Sequence, residues 1–339
     1  DPSGRIVACA STSPGGRPHA EANALAEAGK AAAGATLYAT LEPCAHHGKT
    51  PPCADAIVEA GITRVIYGVV DPDPRVSGKG LTKLLTSRIK VFPGPLKREA
   101  RWLSLGHELR VTRSRPFVQI KLAVDGAGLV PAGGGGVPVW ATSPVARARG
   151  HLLRAEADAI LVGHGTVLAD DPDLTCRLPG MSWRSPVRVV LSTEAKLSRH
   201  AKMLKNLSTA PVWVVSSDGA PKRNRERLEG LGVETIAVPR VPKGRLDLHF
   251  VLNALAERGI TRLLVEGGPS VAMNLLTAGM ADEVLIFQGF KEVAGPALMP
   301  FAPYGLEAVT DKAEYRLYDM RPVGADRLWI YRRAEFWEN

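Results

Sequence analysis

An α/β fold in two domains is what this sequence predicts, on three observations. Short runs rich in β-branched and apolar residues recur along the whole chain, helical patterns separate several of them, and 339 residues are enough for two separate cores. Strands that alternate with helices imply parallel pairing, because a parallel neighbour is reached only through a crossover.

The first element is a helix in "PHAEANALAEAG", where Ala24, Leu25 and Ala28 recur at helical spacing. "TLYATL" (36–41) and "RVIYGVV" (64–70) read as short buried strands, with a helix from Ala54 to Ala60 between them that Gly61 stops. A basic, broken segment from Gly94 to Arg115 leads into "PFVQIKLAVDG", and a boundary near residue 113 gives domains 1–112 and 113–339. Further strands are expected at "DAILVG" (158–163), "VRVVLS" (187–192), "PVWVVSS" (211–217), "RLLVEGG" (262–268) and "DEVLIF" (282–287). The glycine run 133–136 reads as a mobile loop, and no internal repeat is visible.

Hydrophobic residues make up 45% of the chain and charged residues 23%, an ordinary balance for a globular protein. No apolar run approaches the roughly 18 residues of a membrane span, and the N-terminus does not read as a signal peptide. No membrane association is therefore expected, and a cytoplasmic location is. Four cysteines (Cys9, Cys44, Cys53 and Cys176) are too few for a disulfide scaffold, so the close pair points to metal or catalysis. The net charge of +9 suits phosphorylated or nucleic-acid partners, but excess lysine and arginine more often only solvate a surface.

The close pair lies in "LEPCAHHGKTPPC" (41–53), each cysteine following a proline at an expected helix entrance, where the positive helix end favours a thiolate. Upstream, His19 and Glu21 open the first helix. A zinc centre that performs chemistry commonly keeps three protein ligands and leaves the fourth position to water. His19, Cys44 and Cys53 form such a trio. Glu21, not itself a ligand, can take a proton from that water and deliver it to a leaving amine. A closed structural site is the alternative; it needs a fourth protein ligand, for which His46 or His47 is available.

His-Ala-Glu followed by Pro-Cys matches the arrangement of zinc nucleobase deaminases, except that the second cysteine comes after eight residues instead of two. With "HHGKTPPC" filling the longer spacing and "DPDPRVSGKG" (71–80) following, the first half resembles the deaminase half of the bifunctional riboflavin-biosynthesis deaminase and reductase family. The second half lacks a Gly-x-Gly-x-x-Gly dinucleotide motif. Instead, "LLVEGGPSVAMNLL" (263–276) is a strand breaking into Glu-Gly-Gly-Pro and a helix, a turn whose exposed amides attract phosphate. "DAILVGHGTVLADDPDLTCR" (158–177) reads as a strand, a glycine turn and a polar loop holding Thr166, Asp170, Asp171 and Arg177. Together with "KLAVDG", "VWATS" and "VEGGPS", these resemble the reductase half of the same family.

The resemblance implies a cytidine-deaminase-like α/β/α domain followed by a dihydrofolate-reductase-like α/β domain. In the first it implies Zn2+ on His19, Cys44 and Cys53, with Glu21 as proton shuttle. In the second it implies NADPH contacts from Trp140, Thr166, Asp170, Ser192 and the turn Gly268, Pro269, Ser270, Val271, Ala272, Met273 and Asn274. Substrate contacts fall to Lys121, Asp125, Arg154, Leu174, Arg177 and Glu266; a guanidinium fork on Arg154 or Arg177 matches phosphate oxygens. The implied reactions are deamination of 2,5-diamino-6-(5-phosphoribosylamino)pyrimidin-4-one, then NADPH-dependent reduction of its ribosyl group to ribityl. A homo-oligomer, dimer or tetramer, is expected.

Three departures stand against the family pattern. The opening helix and strand of that deaminase domain, with an Asn-Pro stretch, have no counterpart in "DPSGRIVACA", so an N-terminally incomplete domain is expected. "KLAVDGAG" lacks a serine before Asp125, and Pro138 stands where relatives often carry a substrate-binding serine. Two rival readings make different predictions. A tRNA deaminase with an RNA-binding second domain needs an aromatic platform, against 6% aromatic residues and no RNA motif, so no nucleic-acid partner is expected. A degenerate deaminase kept as a scaffold would release no ammonia even with zinc bound.

Overall fold

The computed structural model describes residues 1–46, 51–132, 139–242, 244–311 and 313–336. His47, the glycine run 133–136 and Pro138 lie outside them. The chain divides into two compact units, Asp1–Arg113 and Ser114–Asn339. No helix is long and apolar enough to cross a membrane among the described residues.

In the first unit, helix α1 (Ala20–Ala28) is followed by β1 (Thr36–Leu41), α2 (Cys53–Glu59), β2 (Arg64–Val69), α3 (Lys79–Thr86), β3 (Lys90–Pro93) and α4 (Lys97–Arg113). The three strands pair in parallel in the order β1-β2-β3. Ile57 of α2, Val65 of β2 and Leu84 of α3 are wholly buried in one cluster, each contributing about 1.5–3 kcal/mol of apolar transfer. Gly61 ends the α2 segment with a φ of +70°, a conformation that glycine adopts without strain.

Two expectations are corrected here. The segment read as basic and broken is the 17-residue helix α4, which buries Ala100, Leu105 and Leu109 on one face and packs on β1 and β2. Cys44 is not at a helix entrance, because Glu42 to Ala45 are irregular; only Cys53 begins a helix.

The second unit runs through β4 (Phe117–Val124), β5 (Val130–Pro131), α5 (Pro144–Glu156), β6 (Ala159–Gly163), α6 (His164–Asp170), β7 (Val187–Leu191), β8 (Val212–Ser217), α7 (Lys222–Glu229), β9 (Glu234–Val238), α8 (Leu248–Glu257), β10 (Arg262–Val265), α9 (Pro269–Thr277), β11 (Glu283–Gln288), β12 (Ala297–Leu298), α10 (Glu307–Thr310), β13 (Tyr315–Val323) and β14 (Asp326–Arg333). Nine strands form one sheet in the order β13-β14-β11-β4-β10-β6-β7-β8-β9. From β11 to β9 every neighbour is parallel, and β14 and β13 add an antiparallel hairpin. Apolar layers cover both faces, which is why the inner strands read as near-continuous hydrophobic runs.

The stretch read as a glycine turn and polar loop is largely the short helix α6, stopped at Asp171 with a φ of +40°. Where the chain enters β4, Asp282 is fully buried and accepts two hydrogen bonds of 2.7 Å from Arg115 and one of 2.8 Å from the Val118 amide.

Candidate functional site

Three elements bring His19, Cys44 and Cys53 together. His19 is the extended residue that precedes α1, Cys44 follows β1, and Cys53 is the first residue of α2. Their ligating atoms all lie within 4.8 Å of one another. His19 Nδ1 stands 3.3 Å from Cys53 Sγ and 3.6 Å from Cys44 Sγ. Zinc bonds of about 2.3 Å to sulfur and 2.0–2.1 Å to nitrogen, at a tetrahedral angle, separate N from S by about 3.5 Å, so the donor set fits the ion. Cys44 and Cys53 are 7% and 2% exposed, dry enough for the site to hold its ligands.

The hydrogen bond from Cys53 lowers the Cys44 thiol well below its ordinary range, aided by His19 and the Cys53 amide. The same contact, together with burial, pushes the Cys53 thiol up. Glu21, in the first turn of α1, reaches the Cys53 thiol; burial raises its pKa, against the opposing pull of its backbone hydrogen bond and His19.

One side chain absent from the sequence reading organises this centre. Glu42 is 3% exposed and sits two residues before Cys44. Its Oε2 accepts the Asp71 and Gly78 amides at 3.2 and 2.9 Å, and its Oε1 accepts those of Gly80 and Leu81 at 2.9 and 3.3 Å. The segment 71–81 is thereby fastened to the cysteine turn, and a Cβ on Gly80 would overlap the Pro43 carbonyl oxygen. Further along the segment Asp71 pairs with His107 of α4 at 3.2 Å, and Asp73 with Arg75.

In the second unit a cavity of about 910 Å³ opens at the C-terminal edge of the sheet, where parallel α/β folds bind ligands. Lys121, Trp140, Thr166, Asp170 and Glu266 line it, as do Gly268, Pro269, Ser270, Val271 and Asn274. Thr166 Oγ accepts the Gly268 amide at 3.0 Å and so holds the turn into α9. Ala272 and Met273 face the core instead, as the helical period requires.

Arg154 and Glu266 pair through two hydrogen bonds of 2.8 and 3.0 Å, with Lys121 Nζ 3.8 Å from the same carboxylate. Burial pushes the Glu266 pKa up, but Arg154 and then Lys121 outweigh it and hold it at about 2. Arg154 also donates to the Thr175 carbonyl at 3.0 Å, and Arg177, exposed, donates its amide to His151 Nδ1 at 3.3 Å. Burial, Arg154 and Arg177 lower the His151 pKa to about 4. The fully buried Arg188 anchors this loop by donating to the Asp173 carbonyl and to Asn206.

Neither Arg154 nor Arg177 is among the residues lining the cavity, and Asp125, Ser192 and Leu174 do not present side chains to it either. The Asp125 carboxylate accepts the amides of Ala127, Leu129 and Val293, each at 3.0 Å. The Ser192 hydroxyl is closed onto Lys196 at 2.8 and 2.9 Å, and its neighbour Thr193 lines the cavity in its place. Leu174 is a core residue with a φ of +64°. Sequence reasoning missed Thr193, Arg147, Arg245 and His249 on the wall; none belongs to a local motif.

Comparison with known proteins agrees with both units. Residues 2–69 match the cytidine and deoxycytidylate deaminase zinc-binding region, and residues 116–318 match the RibD C-terminal domain. The chain is 36% identical over 324 residues to the riboflavin biosynthesis protein RibD of Escherichia coli K12, covering 92% of this chain and 85% of that one. Acinetobacter baumannii RibD superposes with a TM-score of 0.78 at 30% identity, over 94% of this chain and 86% of the other. The diaminohydroxyphosphoribosylaminopyrimidine deaminase/5-amino-6-(5-phosphoribosylamino)uracil reductase of Thermotoga maritima superposes with a TM-score of 0.76 at 36% identity, with the same coverage. With a zinc-binding deaminase region ahead of a reductase domain, the chain belongs to the RibD family of bifunctional riboflavin-biosynthesis deaminase/reductases.

Proposed function

We propose that residues 1–112 hydrolyse the exocyclic amine of 2,5-diamino-6-(5-phosphoribosylamino)pyrimidin-4-one, and that residues 113–339 then reduce the ribosyl group of the product with NADPH. The observation that carries the first step is the His19, Cys44 and Cys53 triangle with the half-buried Glu21 reaching the Cys53 thiol. Zinc, when bound, supplies a Lewis acid that makes water a nucleophile near neutral pH. His19, Cys44 and Cys53 would hold it, three protein ligands being the number that a catalytic zinc site commonly uses. Glu21 accepts the proton of the attacking water and returns it to the departing nitrogen, so that ammonia leaves and oxygen takes its place.

For the second step NADPH supplies the hydride, delivered to C1 of the opened ribosyl group. The first turn of α9 offers the Ser270 amide and the positive helix end to a diphosphate, with Thr166 fixing the turn through the Gly268 amide. Trp140 and Asp170 wall the same cavity. Glu266 and Lys121 orient the reacting end, and Arg154 with the exposed Arg177 clamps the substrate phosphate. Asp125, Leu174 and Ser192 act at one remove, by holding the loops that carry these groups. We place the protein in the cytoplasm, where the cysteines of a zinc site stay reduced, and expect a homo-oligomer formed at a free edge of the nine-stranded sheet.

The test is ammonia release from the diaminopyrimidine by zinc-loaded protein, compared with Glu21→Gln. Wild type is expected to release ammonia and the variant to lose at least about 100-fold in rate, the range of a positioned acid–base group. Equal release by both proteins would remove Glu21 from the mechanism.

A further inference from the structure

We infer that Arg245 is the group that reads the 2′-phosphate of the dinucleotide, so that one guanidinium makes the second unit select NADPH over NADH. The inference rests on the reading of the cavity as a nicotinamide dinucleotide site, and extends it to a residue and a ligand group.

The cavity touches the C-terminal ends of four adjacent strands, from Lys121–Ala123 on β4 through Glu266 after β10 and Gly163 on β6 to Leu191 and Thr193 at β7. Three steps of about 4.8 Å make that span about 14 Å, which suits an elongated ligand. Two helices begin at this edge, α9 after Gly268 and α8 after Asp247. The charged cluster of Lys121 and Glu266 marks the reacting end. The other half of a dinucleotide then extends toward β7 and the loop leading into α8, a helix that packs on the far strand β9.

Three cations of known placement line this cavity, and two are committed. Lys121 pairs with Glu266 at 3.8 Å. Arg147 lies 4.7 Å over the Trp140 ring and donates to the Thr142 carbonyl at 2.7 Å. Arg245, exposed on the loop before α8, donates to the amide oxygen of Asn274 on α9 at 2.7 Å, its one side-chain hydrogen bond among the described residues. It has no carboxylate partner among the described residues.

Its charge is therefore not neutralised, and its other N–H groups are available at the cavity wall. A neutral amide partner fixes where the guanidinium stands without consuming it. Such a planar fork matches the oxygens of a phosphate monoester, and an arginine in this role is a general solution for telling the two dinucleotides apart. The acidic alternative, a carboxylate accepting ribose hydroxyls as in NADH sites, would fall to Asp247. That carboxylate is turned to its own helix, accepting the His249 amide at 2.9 Å.

The test measures binding without turnover, by calorimetric titration of the full chain with NADP+, NAD+ and 2′,5′-ADP, in wild type, Arg245→Gln and Arg245→Lys. Because Arg245 is exposed, both variants are expected to keep the wild-type thermal midpoint. Arg245→Gln is expected to weaken NADP+ and 2′,5′-ADP by about 10- to 100-fold while NAD+ changes by less than about threefold, with partial recovery in Arg245→Lys. Parallel weakening of NADP+ and NAD+, or an unchanged preference, would overturn the role of Arg245 and leave the cofactor reading standing. If wild type binds neither dinucleotide, that reading fails first and the inference falls with it.

Discussion

Replacing Glu42 by glutamine tests whether the deaminase centre is held from behind by backbone amides. Each Glu42 oxygen accepts one amide at 2.9 Å and one longer contact, 3.2 Å on one side and 3.3 Å on the other. Whichever way the new amide turns, its NH2 faces two N–H donors, so one short bond and one longer bond are lost. Taking about 1.5–3 kcal/mol for the short bond to the carboxylate and about 1 kcal/mol for the longer one gives an expected loss of about 2.5–4 kcal/mol in the first unit. Groups that orient metal ligands typically change metal affinity by about 10- to 100-fold, and Cys44 is two residues away.

The assays are urea denaturation of the zinc-free chain, zinc competition with a chromophoric chelator, and reduction of the pre-deaminated substrate as an internal control in the other unit. Glu42→Gln should lose stability and zinc affinity while its reductase rate is retained. Wild-type denaturation and wild-type zinc affinity in the variant would refute the argument.

Three further outcomes are expected. Gly80→Ala should weaken zinc binding as Glu42→Gln does, because its methyl group meets the Pro43 carbonyl oxygen; a variant with unaltered zinc affinity would show that the turn relaxes freely. Arg115→Ala leaves the Asp282 carboxylate buried without its cation, and urea denaturation should show the second unit destabilised by about 3–5 kcal/mol; a loss below 1 kcal/mol would contradict this. Glu266 titrates at about 2 in the folded chain against an ordinary 4.5, so the native state binds fewer protons there. Its contribution to stability is whole above pH 4.5 and disappears as pH falls toward 2, and acid unfolding of Glu266→Gln should be flatter across that window than in wild type.

Legibility in the sequence followed how local the signal was. The zinc trio was readable because His19, Cys44 and Cys53 are rare residue types set among prolines, and inner strands such as Val187–Leu191 were readable because burial on both faces leaves an unbroken apolar run. Helix Lys97–Arg113 hid behind its basic residues, since only a narrow stripe with Leu105 and Leu109 is buried. The strand Tyr315–Val323 is mostly exposed and shows no clear alternation. Glu42 was invisible because its partners are backbone amides 29 to 39 residues away, which carry no side-chain signature. Asp125 and Ser192 illustrate the opposite error: polar residues beside a site whose side chains are spent on backbone groups of the surrounding loops.

The central claim is that two chemistries act in order on one chain, and NADPH consumption by Glu21→Gln tests it most directly. Offered the pre-deaminated substrate, the variant should oxidise NADPH at the wild-type rate; offered the diaminopyrimidine, it should oxidise almost none, while wild type does so only after ammonia appears. Rapid NADPH oxidation by the variant on the diaminopyrimidine would show that reduction does not wait for deamination and would contradict the account.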